Sequence, residues 1–148
     1  MRNFDLVTSP HHANGDAVET VLGDLRDADA VRRAIHGCEA VLHLAAVADV
    51  NTVVEDPGLS DEVNVRGTRI LLEAARAEGV GRFVYASTAW VYGNATSDGA
   101  VTEESPLMLP TPLHTATYLA GVMYAPSATV LLGLLPHIRP FRLPFRPP

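Results

Sequence analysis

Lysine is absent from this sequence, because all eleven basic residues are arginine, set against seventeen acidic residues and a net charge of −6. A bias in composition toward arginine accounts for this absence. The arginines are scattered through the acidic part of the chain, whereas a nucleic-acid-binding face requires clustered positive charge. We therefore expect no nucleic-acid partner.

Acidic residues are absent after Glu104, and from Ser105 onward the only formal charges are Arg139, Arg142 and Arg146. The segment 105–148 is therefore a different, apolar kind of sequence from 1–104. The uncharged, mostly apolar stretch from Ser105 to Ile138 is long enough for a membrane span. Pro126, Pro136 and His114 interrupt it. We therefore expect no membrane span, but a helix against a sheet followed by a buried strand.

The sequence also lacks a second cysteine, a signal peptide and a metal-binding pattern. Cys38 stands alone, which excludes an intrachain disulfide and gives no sign of an oxidising compartment. Residues 1–12 have no apolar core of a signal peptide, so a cytoplasmic protein is expected. His11 and His12 have no cysteine or acid at the spacing of metal ligands, and no metal site is expected.

Apolar runs and helical patterns alternate in the first part of the chain. Strands are predicted at 3–7, 17–24, 39–46 and 82–87, and helices at 26–37 and 59–81. The last two strands are nearly continuous apolar runs, which is typical of strands buried on both faces. The alternation predicts an α/β fold, with a parallel sheet, right-handed βαβ units and helices on both faces.

Each predicted helix has boundary signals. Asp27 is a candidate N-cap of the first helix and Gly37 its stop. Ser60, followed by two acids, is a favourable start for the second helix, and Gly79 is its expected end.

Several short motifs occur in the order found in one known family. They are "GDLRD" (23–27), "AVLHLAA" (40–46), "DP" (56–57), "NVRGTRILLEAA" (64–75), "RFVYASTAWVYG" (82–93) and "TEESPL" (102–107). This arrangement resembles the extended short-chain dehydrogenases/reductases, the NAD-dependent epimerases and dehydratases that act mostly on nucleotide sugars. UDP-glucose 4-epimerase is the nearest general model. The resemblance implies a Rossmann-like, doubly wound parallel sheet, NAD as cofactor, a nucleotide-sugar substrate, and a homodimer or another partner chain.

The resemblance implies an adenosine end of the cofactor site. Asp5, followed by Leu6, closes the first strand where the family has an acid against the ribose hydroxyls, and this favours NAD over NADP. Asp24 and Leu25 fall where the family contacts the adenine. The alternative for both acids is an ordinary turn residue.

The resemblance also implies further cofactor-binding residues. They are Leu44, Ala45, Ala46 and Val47 at the carboxyl edge after the third strand, Asn64 in the next helix near the cofactor, and Phe141 in "RPF" near the nicotinamide. The small residues would let the backbone approach the cofactor, although they would equally serve helix–sheet packing. The family places the Asn near the cofactor and uses it to tie the helix to a neighbouring strand. His43, inside the apolar run, is interpreted as a core histidine.

Three positions correspond to the catalytic residues of the family. Thr88 occupies the Ser/Thr position that hydrogen-bonds the substrate oxygen, and neighbouring Ser87 is the weaker candidate. His114 and Tyr118 fall at the Tyr and Lys of the catalytic Tyr-x-x-x-Lys motif. That pair works because a nearby cation lowers the phenol pKa. With no lysine in the chain, realignment cannot restore the pair, and we expect impaired or absent activity.

The glycine-rich turn that holds the pyrophosphate in the family is absent from the sequence. Because Met1 aligns with the start of the family's second strand, we expect the central first strand to be missing. Its loss would leave strands two and three paired on one side and four and five on the other. We expect the C-terminal substrate part to be missing as well. We therefore expect residues 1–148 to form a partial NAD-binding domain with doubtful NAD binding.

Four hypotheses remain open. The first is a truncated, diverged epimerase/dehydratase that is inactive alone, and the second is another reductase of the same superfamily. The third is a non-catalytic remnant that completes its sheet with a strand from another chain. The fourth is no function at all, from a misplaced start codon and a damaged 3′ end.

Overall fold

The structure, a computed structural model, describes residues 1–9, 17–92, 106, 116–117, 120 and 139–141. The strands are β1 (Arg2–Asp5), β2 (Glu19–Leu22), β3 (Ala40–His43), β4 (Arg82–Ala86) and β5 (Arg139–Phe141). The α-helices are α1 (Ala28–Ile35), α2 (Val50–Glu55), α3 (Pro57–Ser60) and α4 (Thr68–Ala77). A π-helix (Asp61–Gly67) joins α3 to α4, and a single 3₁₀ turn (Ala89–Tyr92) comes after β4.

The described strands form two parallel sheets. β1 pairs with β2, and β3 pairs with β4, which in turn pairs with β5. The predicted division, with the second and third family strands on one side and the fourth and fifth on the other, is confirmed. All four predicted strands are present, each shorter than its apolar run.

Helix α1 has the boundaries that its sequence signals predict. The Asp27 carboxylate accepts the backbone N–H groups of Asp29 and Ala30, both at 3.0 Å, as an N-cap should. Gly37 ends the helix with φ of +73°, a conformation that costs glycine little. The buried apolar face of the helix consists of Ala30, Val31, Ala34 and Ile35.

The start predicted for the second helix is wrong. The chain becomes helical at Pro57, because the Asp56 carboxylate accepts the Leu59 N–H at 2.9 Å and caps α3. Ser60 is fully buried and makes no cap hydrogen bond. The π-helix has no signal in the sequence, whereas the predicted end at Gly79 is confirmed by its φ of +69°.

One apolar core lies between the helices and both sheets. Phe4 of β1 and Val41 of β3 pack against it, so the two sheets share this core. Arg2 also fixes β1 to the C-terminus of α1, donating to the carbonyl oxygens of Ala34 at 2.7 Å and His36 at 3.0 Å. The central cluster consists of Leu25, Val31, Ile35, Leu72, Ala74, Ala75, Val80, Phe83 and Tyr85.

The prediction that the third strand is buried on both faces is wrong. Val41 and His43 face the core, but Leu42 is 59% exposed and Leu44, just beyond the strand, is 63% exposed. Side chains alternate along a strand, so these leucines lie on the opposite face, where no described residue buries them. Within the described ranges, no helix is long and apolar enough to cross a membrane.

Candidate functional site at the carboxyl ends of the strands

The carboxyl ends of β1 and β2 form one half of the candidate site. The Gly23 N–H donates to the Asp5 carbonyl at 2.9 Å, which holds Asp24 beside the end of β1. Asp5 is exposed, and its Oδ1 accepts the Val7 N–H at 3.3 Å, so it also serves the turn. Leu6 is exposed next to it. The exposed Asp5 carboxylate could meet a ligand hydroxyl.

Asp24 is held by Arg26. The carboxylate accepts the Arg26 backbone N–H at 2.8 Å and is bridged by the guanidinium. These hydrogen bonds hold the Asp24 pKa below its ordinary value. The Leu25 side chain, by contrast, is buried in the core against Gly67, where a Cβ would lie 2.9 Å from the Leu25 Cγ.

The carboxyl ends of β3, β4 and β5 form the other half. His43 is paired in register with Tyr85, so the segment Leu44–Val47 leaves the sheet beside Ser87 and Thr88. The backbone of Phe141 pairs with Ala86 at the same edge. Thr88 is half-buried. Parallel pairing thus places one predicted segment and three predicted residues at the same edge of the sheet. They are residues 44–47, Ser87, Thr88 and Phe141.

The Ser87 hydroxyl is an unsatisfied group at this edge. Its Oγ is buried and has no hydrogen-bond partner among the residues that the structure describes. Buried hydroxyls are normally paired, and one that is not needs an explanation such as a ligand or water. Ser87 therefore remains a site candidate beside Thr88.

His43 is a core histidine, as predicted. Its Nε2 lies 2.8 Å from the Thr68 Oγ1, and its ring lies against Phe83 and Tyr85. Burial disfavours the charged imidazolium and lowers the pKa of His43 to about 4. The imidazole is thus neutral near pH 7 and structural.

Asn64 lies at the centre of a buried polar cluster. Its Oδ1 accepts the Val47 N–H at 2.8 Å, and its Nδ2 donates to the Val47 carbonyl at 3.1 Å. The same Nδ2 donates to Thr117 Oγ1 at 3.1 Å and lies 3.4 Å from Ser60 Oγ. Asn64 therefore ties the π-helix to the segment that follows β3, whereas the resemblance implies a tie to a neighbouring strand. Ser60, Thr68 and Thr117 were missed, since small hydroxyl residues in helical patterns carry no distinctive signal.

The family model for the NAD-dependent epimerase/dehydratase family matches residues 5–127. The chain belongs to this family. A dTDP-glucose 4,6-dehydratase from Streptomyces antibioticus is 41% identical over 91 residues, which are 62% of this chain and 27% of that protein. The chain thus spans well under half the length of this curated relative.

Solved structures of the family share the fold. The dTDP-glucose 4,6-dehydratase DesIV from Streptomyces venezuelae, solved with NAD bound, superposes with a TM-score of 0.80 at 33% identity and covers 90% of this chain. The Thermus thermophilus UDP-glucose 4-epimerase with NAD gives 0.80 at 34% identity and also covers 90%. This chain covers 43% and 44% of those chains. The fold is therefore the Rossmann-like, doubly wound α/β fold, in incomplete form.

The positions of the family's catalytic pair, His114 and Tyr118, lie outside the described residues. Thr117, the neighbour of Tyr118, is described and 4% exposed. Among the described residues, no group of His, Cys, Asp and Glu could hold a metal ion.

Proposed function

We propose that this chain derives from a nucleotide-sugar epimerase or dehydratase, whose ancestral reaction was NAD-dependent oxidation of a sugar hydroxyl. As it stands, it is impaired or inactive in hydride transfer. The impairment of hydride transfer is inferred from one observation. The sequence has no lysine, and Tyr118 occupies the position of the lysine in the family's Tyr-x-x-x-Lys pair. Another reductase chemistry of the same superfamily would be impaired for the same reason.

The replacement acts through proton transfer. In the family pair the cation lowers the pKa of the phenol, which then serves as the base, and it also holds the nicotinamide ribose. A neutral His114 imidazole could accept a proton. Tyr118 has no charge to offer, so this pair lacks the cation's contributions.

The residues present fit parts of NAD, which supplies the hydride acceptor when it is bound. The exposed Asp5 carboxylate suits the adenosine ribose hydroxyls, and the Ser87 hydroxyl, which has no partner among the described residues, could serve the nicotinamide end. Asp24 and the backbone of Leu25 would approach the adenine, and the segment Leu44–Val47 with Asn64 would flank the nicotinamide end. The sequence offers no glycine-rich turn for the pyrophosphate. We therefore expect NAD to bind weakly.

Isothermal calorimetry with NAD, together with an assay of NADH absorbance with UDP-glucose or dTDP-glucose, tests this proposal. We expect weak NAD binding and little or no NADH. Any residual NADH should disappear in His114→Ala and in Thr88→Val. NADH formation at a rate typical of enzymes, about 1 s⁻¹ or more, would overturn the claim of impairment. Failure to detect any NAD binding would remove the cofactor from the proposal.

A second candidate function is binding of a partner strand by a non-catalytic remnant. The observation in its favour is the division into two sheets with exposed Leu42 and Leu44. A strand donated by another chain would pair with the edges of β1 and β3 that no described strand occupies. Sedimentation and cross-linking of the purified chain test it. A monomer that unfolds cooperatively and captures no other chain would count against this function.

A further inference from the structure

Among the described residues of the C-terminal region, Thr117 contacts the cluster around Asn64. Its hydroxyl accepts from Asn64 Nδ2 at 3.1 Å and lies 3.3 Å from Ser60 Oγ. All three side chains are deeply buried: Asn64 is 1%, Ser60 0% and Thr117 4% exposed. Thr117 lies 53 positions from Asn64 in sequence, so this contact joins distant parts of the chain.

The Asn64 amide has fewer N–H protons than neighbouring acceptor oxygens, and this explains the role of Thr117. The amide has two N–H protons, yet three oxygens lie within reach: the Val47 carbonyl at 3.1 Å, Thr117 Oγ1 at 3.1 Å and Ser60 Oγ at 3.4 Å. The two shorter contacts take the protons. Thr117 therefore holds the amide in the orientation in which Oδ1 faces the Val47 N–H and Nδ2 faces the Val47 carbonyl.

We propose that Thr117, which adjoins Tyr118 in the sequence, is a positioning residue that couples its own position, through the Asn64 amide and Ser60, to the backbone at Val47. Without the Thr117 hydroxyl, the free N–H turns toward Ser60 Oγ and the two hydrogen bonds to Val47 weaken. The coupling depends on a hydroxyl and not on side-chain bulk. Only its link to the cofactor rests on the proposed function, because that function assigns Val47 to the nicotinamide end of NAD.

Amide hydrogen exchange of the full chain, read by NMR, tests this coupling without cofactor. Thr117→Val keeps the shape and removes the hydroxyl, whereas Thr117→Ser keeps the hydroxyl. We expect protection of the Val47 amide to fall by about threefold to tenfold in Thr117→Val, the value of one ordinary hydrogen bond. Protection should return in Thr117→Ser. Thr8→Val, at an exposed position outside the cluster, is the matched control and should leave Val47 unchanged.

Core amides of Leu72 and Phe83 distinguish positioning from general loss of stability. A fall in protection at Val47 that exceeds the fall at these two amides supports the coupling. An unchanged Val47, or an equal fall at all three, overturns it. If Thr117→Val does not fold, Ser60→Ala removes a second contact of the Thr117 hydroxyl and should lower Val47 protection in the same selective way.

Titration with NAD separates this coupling from the proposed function. We expect Thr117→Val to weaken NAD binding by about the same factor as it lowers Val47 protection, with Thr117→Ser restoring both. If the parent chain binds no NAD, the proposed cofactor fails while the exchange result still decides the coupling. If NAD binds equally to all variants although Val47 protection falls, the link from Thr117 to the cofactor is wrong.

Discussion

The Nε2 atom of His43 lies 2.8 Å from the Oγ1 atom of Thr68 in the core. The Thr68 hydroxyl donates its single proton to the Asn64 carbonyl oxygen at 2.7 Å. His43 Nε2 must therefore be the donor to Thr68, which fixes the neutral tautomer that carries its proton on Nε2. Protonation at Nδ1 would place a charge in an apolar core.

We expect stability to fall as the pH falls through the titration of His43. The pKa is about 4 in the folded chain against 6.5 for the ordinary group, so the unfolded state takes up the proton first. The stabilisation is fully present above pH 6.5 and is lost toward pH 4, by up to about 3 kcal/mol. Urea unfolding at several pH values measures it. His43→Leu should flatten this dependence, and an unchanged slope would contradict the assignment.

Replacement of Asn64 should be costly. Asn64→Leu keeps the branched shape of the side chain but leaves the Val47 N–H and the Val47 carbonyl without their side-chain partner. We expect a loss of about 3 kcal/mol in the free energy of unfolding. Asn51→Leu, at an exposed position of α2, is the control and should change it by less than about 0.5 kcal/mol. Equal effects of both variants in urea unfolding would argue against the network.

Gly23 allows a close approach to Phe4. A Cβ at Gly23 would overlap the Phe4 ring and lie 3.4 Å from the Ala30 Cβ. Gly23→Ala should therefore cost about 1 to 3 kcal/mol through overpacking. At Gly58 a Cβ meets only the Asp56 carboxylate at 3.4 Å, so Gly58→Ala in α3 is the matched control. Thermal unfolding of the two variants compares them, and a Gly23→Ala chain as stable as the parent would be inconsistent with this packing.

Restoring the family's catalytic pair should favour NADH formation. The double variant His114→Tyr with Tyr118→Lys supplies both the phenol and the cation that lowers its pKa. We expect more NADH from NAD and a nucleotide sugar than in the parent, and Thr88→Val in that background should abolish the gain. Neither single variant should match the double, because each lacks one partner. A single variant with equal activity would show that the pair is not the cause of impairment.

Local signals in the sequence predicted the ends of helix α1 well. Asp27 and Gly37 act through neighbouring backbone groups, so their effect is readable from adjacent residues. The division of the strands was predictable from the resemblance to the family, whose sheet has its first strand between these two pairs. The exposure of Leu42 was not predicted, since an apolar run does not reveal whether both of its faces are covered.

The Asn64 cluster was only partly predictable, because a local sequence pattern does not show which distant residues come into contact. Asn64 stood out because an amide on the core face of a helix needs partners. Its partners Ser60 and Thr117 depend on how a helix turn and a distant segment meet in three dimensions. No periodicity in the sequence encodes that meeting, and the π-helix that aligns Ser60, Asn64 and Thr68 left no pattern either.

The hydrogen bonds around the π-helix depend on the number of residues in the segment Asp61–Gly67. A π-helix is wider than an α-helix and bonds each N–H five residues back instead of four. Deleting one residue from Asp61–Gly67 would allow the segment to close as an α-helix and would shift the residues on one side of the deletion by one position along the helix. Thr68 would then lose the Asn64 carbonyl, or Asn64 would lose Val47. We expect substitution of the exposed Asp61 to be tolerated. Deletion of one residue beside it would instead break the series of hydrogen bonds that connects His43, Thr68, Asn64 and Thr117.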